Sequence, residues 1–162
     1  MNGRFSAWLG LAALIVAADQ LTKWVMLQTL THGDSIEVTE FFRLVLVFNP
    51  GAAFSFLADQ PGWQRWFFVG LAVVICGWLA ALLARHRDET LLPFALSLII
   101  GGAIGNVIDR LVYGAVVDFL YFHIGRYGWP AFNIADSAIS AGAALLIWDA
   151  LFGKESQQQV KG

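Results

Sequence analysis

Apolar residues along this chain fall into four long runs separated by polar stretches, and the runs set its plan. Trp66 to Ala84 holds nineteen residues without a charge, and Leu91 to Ile108 holds eighteen. Crossing a bilayer takes about 20 predominantly apolar residues in a helix. Spanning helices are therefore predicted over about 66–84 and 91–108. A further span is predicted over about 7–27, interrupted by Asp19-Gln20-Leu21-Thr22-Lys23, and a fourth over about 133–153. The fourth carries Asp136 near its start and Asp149 near its far end, leaving twelve uncharged residues between Ser137 and Trp148. Arg4 followed by Ala7 to Ala18 also imitates a secretory leader. The apolar run resuming at Trp24-Val25-Met26-Leu27 favours a span.

Between the first two spans the pattern changes period. Ser35 to Thr39 alternates as an exposed strand does, and Phe42 to Phe48 is rich in β-formers. Asn49-Pro50-Gly51 then makes a turn. Ala52 to Ala58 is apolar but too short to span, so it reads as a short helix on the membrane surface. Trp63 and Trp66 are interfacial anchors. Val116 to Phe122 is a third strand, His123 to Pro130 a turn-rich loop, and 154–162 a polar, disordered tail. Gly101, Gly102 and Gly105 in the third span would let another helix approach closely.

Composition agrees with the pattern. Of the 162 residues, 58% are hydrophobic and 14% charged, with a mean hydropathy of +0.65. A soluble domain carries roughly 25% charged residues. The chain is thus an α-helical integral membrane protein of four transmembrane helices. A net charge of -2 offers nothing to nucleic acid or to an anionic lipid surface. Cys76 is the sole cysteine, which excludes an internal disulfide and a CxxC motif.

Four spans put both termini on one side. They place Asp19 to Lys23, the 28–65 segment, Asp109, Asp118 and Asp136 together on the other. Lys and Arg divide five against five between the two sides, so charge alone leaves the orientation open. Asp19 and Lys23 stand four apart, a spacing that pairs them on one helix face. Two readings are open for them: support of a site, or an interfacial position where Lys23 reaches water.

The candidate chemistry lies in two carboxylates among apolar neighbours, Asp118 in its strand and Asp136 at a helix start. Ser55 lacks a nucleophile elbow, and His32, His86 and His123 are scattered without a metal-binding spacing. Two Asp side chains held close together share one proton near neutral pH, so that one can act as base and the other as acid. Which would be which is open. Taken singly, Asp136 reads as an N-cap and Asp118 as an exposed strand residue. Taken with Asn49, Asn106, Asp109, Arg110 and Asn133 on the same side, they read as a site. Asn106, Asp109 and Arg110 stand three and four apart, so one helix end can present all three inward.

Five short motifs occur in order. They are Asp19-Gln20-Leu21-Thr22-Lys23, Asn49-Pro50-Gly51-Ala52-Ala53-Phe54, Gly105-Asn106-Val107-Ile108-Asp109-Arg110, Val117-Asp118-Phe119 and Phe132-Asn133-Ile134-Ala135-Asp136. In order and spacing they resemble those of bacterial lipoprotein signal peptidase, signal peptidase II. The resemblance implies an aspartyl endopeptidase without metal or cofactor, acting on diacylated prolipoprotein substrates within membrane lipid. A monomer with no nucleic-acid partner is expected. The resemblance implies cleavage just before the lipidated cysteine, with Asp118 and Asp136 as the dyad. Asn49, Gly51, Asn106, Asp109, Arg110 and Asn133 would line or brace the site, and Asp19 and Lys23 would support it. It also implies one catalytic domain over 1–153, with a periplasmic β-strand cradle over 28–65 and 111–132. The termini would be cytoplasmic, and the site would lie at the periplasmic face of the inner membrane. Phe54, Phe56, Trp63 and Trp66 are candidates to meet lipid, and 52–60 is a candidate lid.

Overall fold

The computed structural model describes residues 3–51 and 62–159, with side chains described as far as Phe152. Its elements, in chain order, are α1 (Gly3–Thr29), β1 (Ser35–Thr39), β2 (Phe42–Asn49), α2 (Trp63–Arg85), α3 (Leu91–Tyr113), β3 (Val116–Ile124), β4 (Tyr127–Gly128) and α4 (Ile134–Gln159). Among the described residues, four helices are long and apolar enough to cross a membrane. Many of their large apolar side chains face outward, including Val73, Val74 and Trp78 on α2 and Ile147 and Trp148 on α4. That surface suits lipid, where such groups cost nothing to expose.

Helix α3 is central and packs against α1, α2 and α4. Small residues make this possible. A Cβ at Gly101 would lie 2.7 Å from the Ala12 carbonyl oxygen, and one at Gly105 would lie 2.5 Å from Asp19 Oδ2. Gly102 meets the Ala135 carbonyl in the same way, and Gly142 on α4 meets that of Ala95. The glycines therefore seat α1 and α4 on two faces of α3 at a distance no larger side chain permits. Pro93 sits in the first turn of α3, where a missing N–H is tolerated. Gly114 ends the helix at φ +80°, in the left-handed region that only glycine enters freely.

The four strands order as β1-β2-β3-β4, all antiparallel. Leu30, Leu46 and Val117 are buried together where this sheet meets the end of α1. In the β2–β3 ladder, Leu44 pairs with Leu120 and Val47 with Asp118, so three steps along β2 match two along β3. The extra residue is a bulge, and it falls beside Asp118, where it re-aims the local side chains.

Several expectations are corrected. Helix α3, expected to span about 91–108 and to present Asn106, Asp109 and Arg110 at its end, runs on to Tyr113. The loop expected over His123 to Pro130 contains the end of β3 and a hairpin to β4. Helix α4 continues through Gln159, into the tail read as disordered. Helix α2 begins at Trp63 rather than Trp66. The run imitating a leader is one continuous helix whose Asp19 and Lys23 are built into the bundle. The surface helix at 52–58, the lid at 52–60, and Phe54 and Phe56 lie outside the described residues.

Candidate active site

Asp118 and Asp136 line one cavity of about 850 Å³ at one end of the bundle. Asn49, Gly51, Asn106 and Arg110 share its wall, and Val45, Val47, Phe48, Val116, Phe132 and Ile139 are among its apolar lining. Asp118 reaches it from β3 and Asp136 from the first turn of α4.

The return of the chain onto β3 brings these two residues together. Phe132 donates its N–H to the Leu120 carbonyl, and its own carbonyl accepts the N–H groups of Phe119 and Leu120. That pairing delivers Asn133, fully buried, beside Asp118. Its Nδ2 donates to Asp118 Oδ1 at 2.8 Å and to the Val117 carbonyl at 3.2 Å. Its Oδ1 accepts the N–H of Asp136 at 2.9 Å. Asn133 is therefore the N-cap of α4 and a bracket between the two acids. Asp136 sits three residues into the helix rather than at the cap, and Asp118 is 1% exposed rather than on the surface. Both single-residue alternatives are thereby corrected.

Each carboxylate has further holders. Asn49 Nδ2 donates to Asp118 Oδ2 at 3.2 Å, and Gly51 N–H folds back onto Asn49 Oδ1 at 3.0 Å. Asn106 Nδ2 donates to Asp136 Oδ1 at 2.7 Å. The Arg110 guanidinium is buried, donates to the Gly51 carbonyl at 2.8 Å and lies 5.0 Å from the Phe68 ring centre. Burial drives the Asp118 carboxyl from 3.8 up to about 7, and the charge of Asp136 adds to the rise. Hydrogen bonds from Asn49 and Asn133 and the charge of Lys23 oppose it. A carboxyl poised there can hold or release a proton near neutral pH.

Behind Asp118 and Asp136 lies a buried ion cluster. Lys23 Nζ is 2.7 Å from Asp19 Oδ2 and 2.7 Å from Asp109 Oδ2, and donates to Asn106 Oδ1 at 3.1 Å. Asp19 and Asp109 are 0% exposed and Lys23 is 2% exposed, so the reading in which Lys23 reaches water is corrected. The structure brings all ten candidate residues to this end of the bundle. Asp19, Lys23, Asp109 and Asn133 lie behind the cavity wall rather than on it.

Sequence reasoning passed over Gln20, whose Nε2 donates to Asp109 Oδ1 at 2.9 Å and to the Gly105 carbonyl at 3.2 Å. Its place inside the polar interruption of an apolar run was the available signal. Ser137 and Ser140, which also line the cavity, were passed over too. Ser140 stands four residues after Asp136, on the same helical face, which is the cue that would have found it; Ser137, one residue on, carries no such cue.

Comparison with known proteins finds relatives along most of the chain. Residues 11–152 match the family described as signal peptidase (SPase) II. A lipoprotein signal peptidase of Azoarcus sp. is 70% identical over 141 residues, covering 87% of this chain and 80% of the relative. One from Cupriavidus taiwanensis is 59% identical over 144 residues, covering 89% and 82%. Two solved structures, each described as a bacterial membrane enzyme obtained by the in meso method, share the fold. The one at 2.3 Å has a TM-score of 0.81 and 34% identity, covering 90% of this chain and 88% of that one. The one at 1.9 Å has a TM-score of 0.76 and 31% identity, covering 91% and 94%. Matched along nearly its whole length in sequence and in fold, this chain belongs to the signal peptidase II family of membrane peptidases.

Proposed function

We propose that this chain is an aspartyl endopeptidase that removes the signal peptide from diacylglyceryl-modified prolipoproteins, cutting just before the lipidated cysteine. The observation that carries this reading is the convergence of Asp118 and Asp136 on one largely apolar cavity, each held by its own asparagines. The names of the similar proteins supply the substrate class.

With one proton between them, the pair can run the whole cycle. The ionised carboxylate takes a proton from water as the oxygen attacks the scissile carbonyl carbon, while the protonated carboxyl gives its proton to the carbonyl oxygen. The carboxylate left by that donation then removes a proton from the tetrahedral diol. The carboxyl that had accepted the water proton passes it to the departing amide nitrogen, so the pair returns to one proton. The Arg110 guanidinium, tied to the Gly51 carbonyl, holds the Asn49 turn against α3. Apolar walls formed by Val45, Val47, Phe48 and Ile139 suit the aliphatic part of a lipidated substrate.

Both reacting groups are carboxylates, so the scheme needs no metal or other cofactor. Residues 1–153 act as one catalytic domain, with β1 to β4 as its cradle and the enzyme working as a monomer. The termini face the cytoplasm, and the cavity opens at the periplasmic face of the inner membrane, where the lipidated cysteine lies. The five-motif resemblance supports this sidedness.

The test is purified protein acting on a lipobox peptide with and without its diacylglyceryl group. The expected outcome is a single cut before the lipidated cysteine, with the unmodified peptide left intact. Equal cleavage of both peptides, or of neither, contradicts the assignment.

A further inference from the structure

Two carboxylates outside the dyad make the same kind of bond. Asp109 Oδ2 accepts the main-chain N–H of Val117 at 3.0 Å, and Asp19 Oδ1 accepts that of Ala135 at 2.9 Å. Val117 immediately precedes Asp118, and Ala135 immediately precedes Asp136. One ammonium joins the two supports, since Lys23 Nζ stands 2.7 Å from each of them. Gln20 Nε2 closes the bridge from another side, at 2.9 Å from Asp109 Oδ1 and 3.2 Å from Asp19 Oδ2. The bridge thus links β3 to α4 through α1 and α3, and it ends one residue short of each reacting group.

Resting on the dyad reading above, we propose that the Asp19–Lys23–Asp109 bridge is a positioning device for the reaction. Lys23 sets how far apart Asp118 and Asp136 stand, and its charge sets the pH range over which the pair holds one proton. A bridge serving only to glue helices has no reason to end on these two N–H groups. Replacing a buried ion triad with apolar side chains is often neutral or stabilising, so stability alone does not account for it. Separation matters because a misplacement of about 1 Å can cost about a hundredfold in rate. The charged groups facing the pair are Asp19 and Lys23 from α1, Asp109 and Arg110 from α3, and the two dyad carboxylates themselves.

The experiment uses the full chain in lipid nanodiscs and a diacylated lipobox peptide. It reads kcat, KM and the pH profile for Lys23→Met and Asp19→Asn. Methionine removes the charge at similar length. Asparagine keeps an oxygen for the Ala135 N–H and removes a negative charge. Lys23→Met is expected to lower kcat by about a hundredfold with KM within about threefold of wild type. Losing a positive charge makes the carboxyls hold protons more tightly, so both limbs of its bell-shaped profile move to higher pH. Asp19→Asn moves both limbs to lower pH. Opposite movements of this kind do not arise from general structural damage.

Unmoved limbs, movements in the same direction, or a loss confined to KM would overturn the proposal. If Lys23→Met fails to fold, Asp19→Asn decides alone, and a wild-type profile in it counts against the bridge. If Asp118→Asn and Asp136→Asn retain turnover, the dyad reading itself has failed. If those two are inactive while Lys23→Met and Asp19→Asn keep the wild-type profile, only the positioning role has failed.

Discussion

The two ends of the helix bundle handle charge in opposite ways. At the end holding the start of α1 and the turn between α2 and α3, Arg4 lies 3.9 Å from Asp88 and His86 lies 2.8 Å from Glu89. The Arg4 and Asp88 side chains are 70% and 76% exposed. At the cavity end, Lys23 lies 2.7 Å from both Asp19 and Asp109, and none of the three is more than 2% exposed. An exposed pair contributes about 0–1 kcal/mol, whereas burying each ion costs several kcal/mol before its partners offset that cost. Charge at the first end is simply left in water. Charge at the second is retained because its geometry serves the neighbouring carboxylates, and all four oxygens of Asp19 and Asp109 have partners.

If that contrast is right, removing one buried partner has the largest effect on stability. Asp109→Ala strips Lys23 of a counter-ion and Val117 of its acceptor, and is expected to cost about 3–5 kcal/mol. Thermal melting of the purified protein checks this, and a loss below about 1 kcal/mol would erase the difference between the ends.

The next effect is smaller and of opposite sign. Burial holds the Asp118 carboxyl at about 7 rather than 3.8, so between those values the folded state binds more protons than the unfolded state. Its contribution to stability is therefore fully present at low pH and is lost as pH rises towards 7. Asp118→Asn removes that burden and is expected to melt above wild type at pH 8. The gap should close as pH falls towards 4, and a gap independent of pH would contradict the assignment.

The smallest effect belongs to the exposed end. Arg4→Ala is expected to change stability by less than about 0.5 kcal/mol and to leave turnover unchanged. A loss comparable to that of Asp109→Ala would mean the two ends are alike.

How much was legible beforehand follows the same division. The spans were readable because lipid demands long uncharged runs, and 66–84 and 91–108 supply them without interruption. The pairing of Asp19 with Lys23 was readable because both lie on one helix, four residues apart. The strands at Ser35–Thr39 and Phe42–Asn49 announced themselves by alternation and β-branched content. Contacts that close only in three dimensions were not readable. Asp19 caps an N–H more than a hundred residues away at Ala135, and nothing local to either residue announces it. The last turn of α3, from Arg110 to Tyr113, was not readable either, because the partners that hold Asp109 and Arg110 lie on remote segments. The cap role of Asn133 and the tie made by Gln20 also depend on chain segments brought together by the fold.

The central claim is that the two acids at the cavity end carry the cleavage. Its most direct test is the turnover of a diacylated lipobox peptide by Asp118→Asn, Asp136→Asn and Asp149→Asn, measured side by side on protein shown to be folded. Asp149 shares α4 with Asp136 but lies towards the helix's other end. The first two variants are expected to fall by at least about a thousandfold and the third to match wild type. Near-normal turnover in either Asp118→Asn or Asp136→Asn would contradict the account.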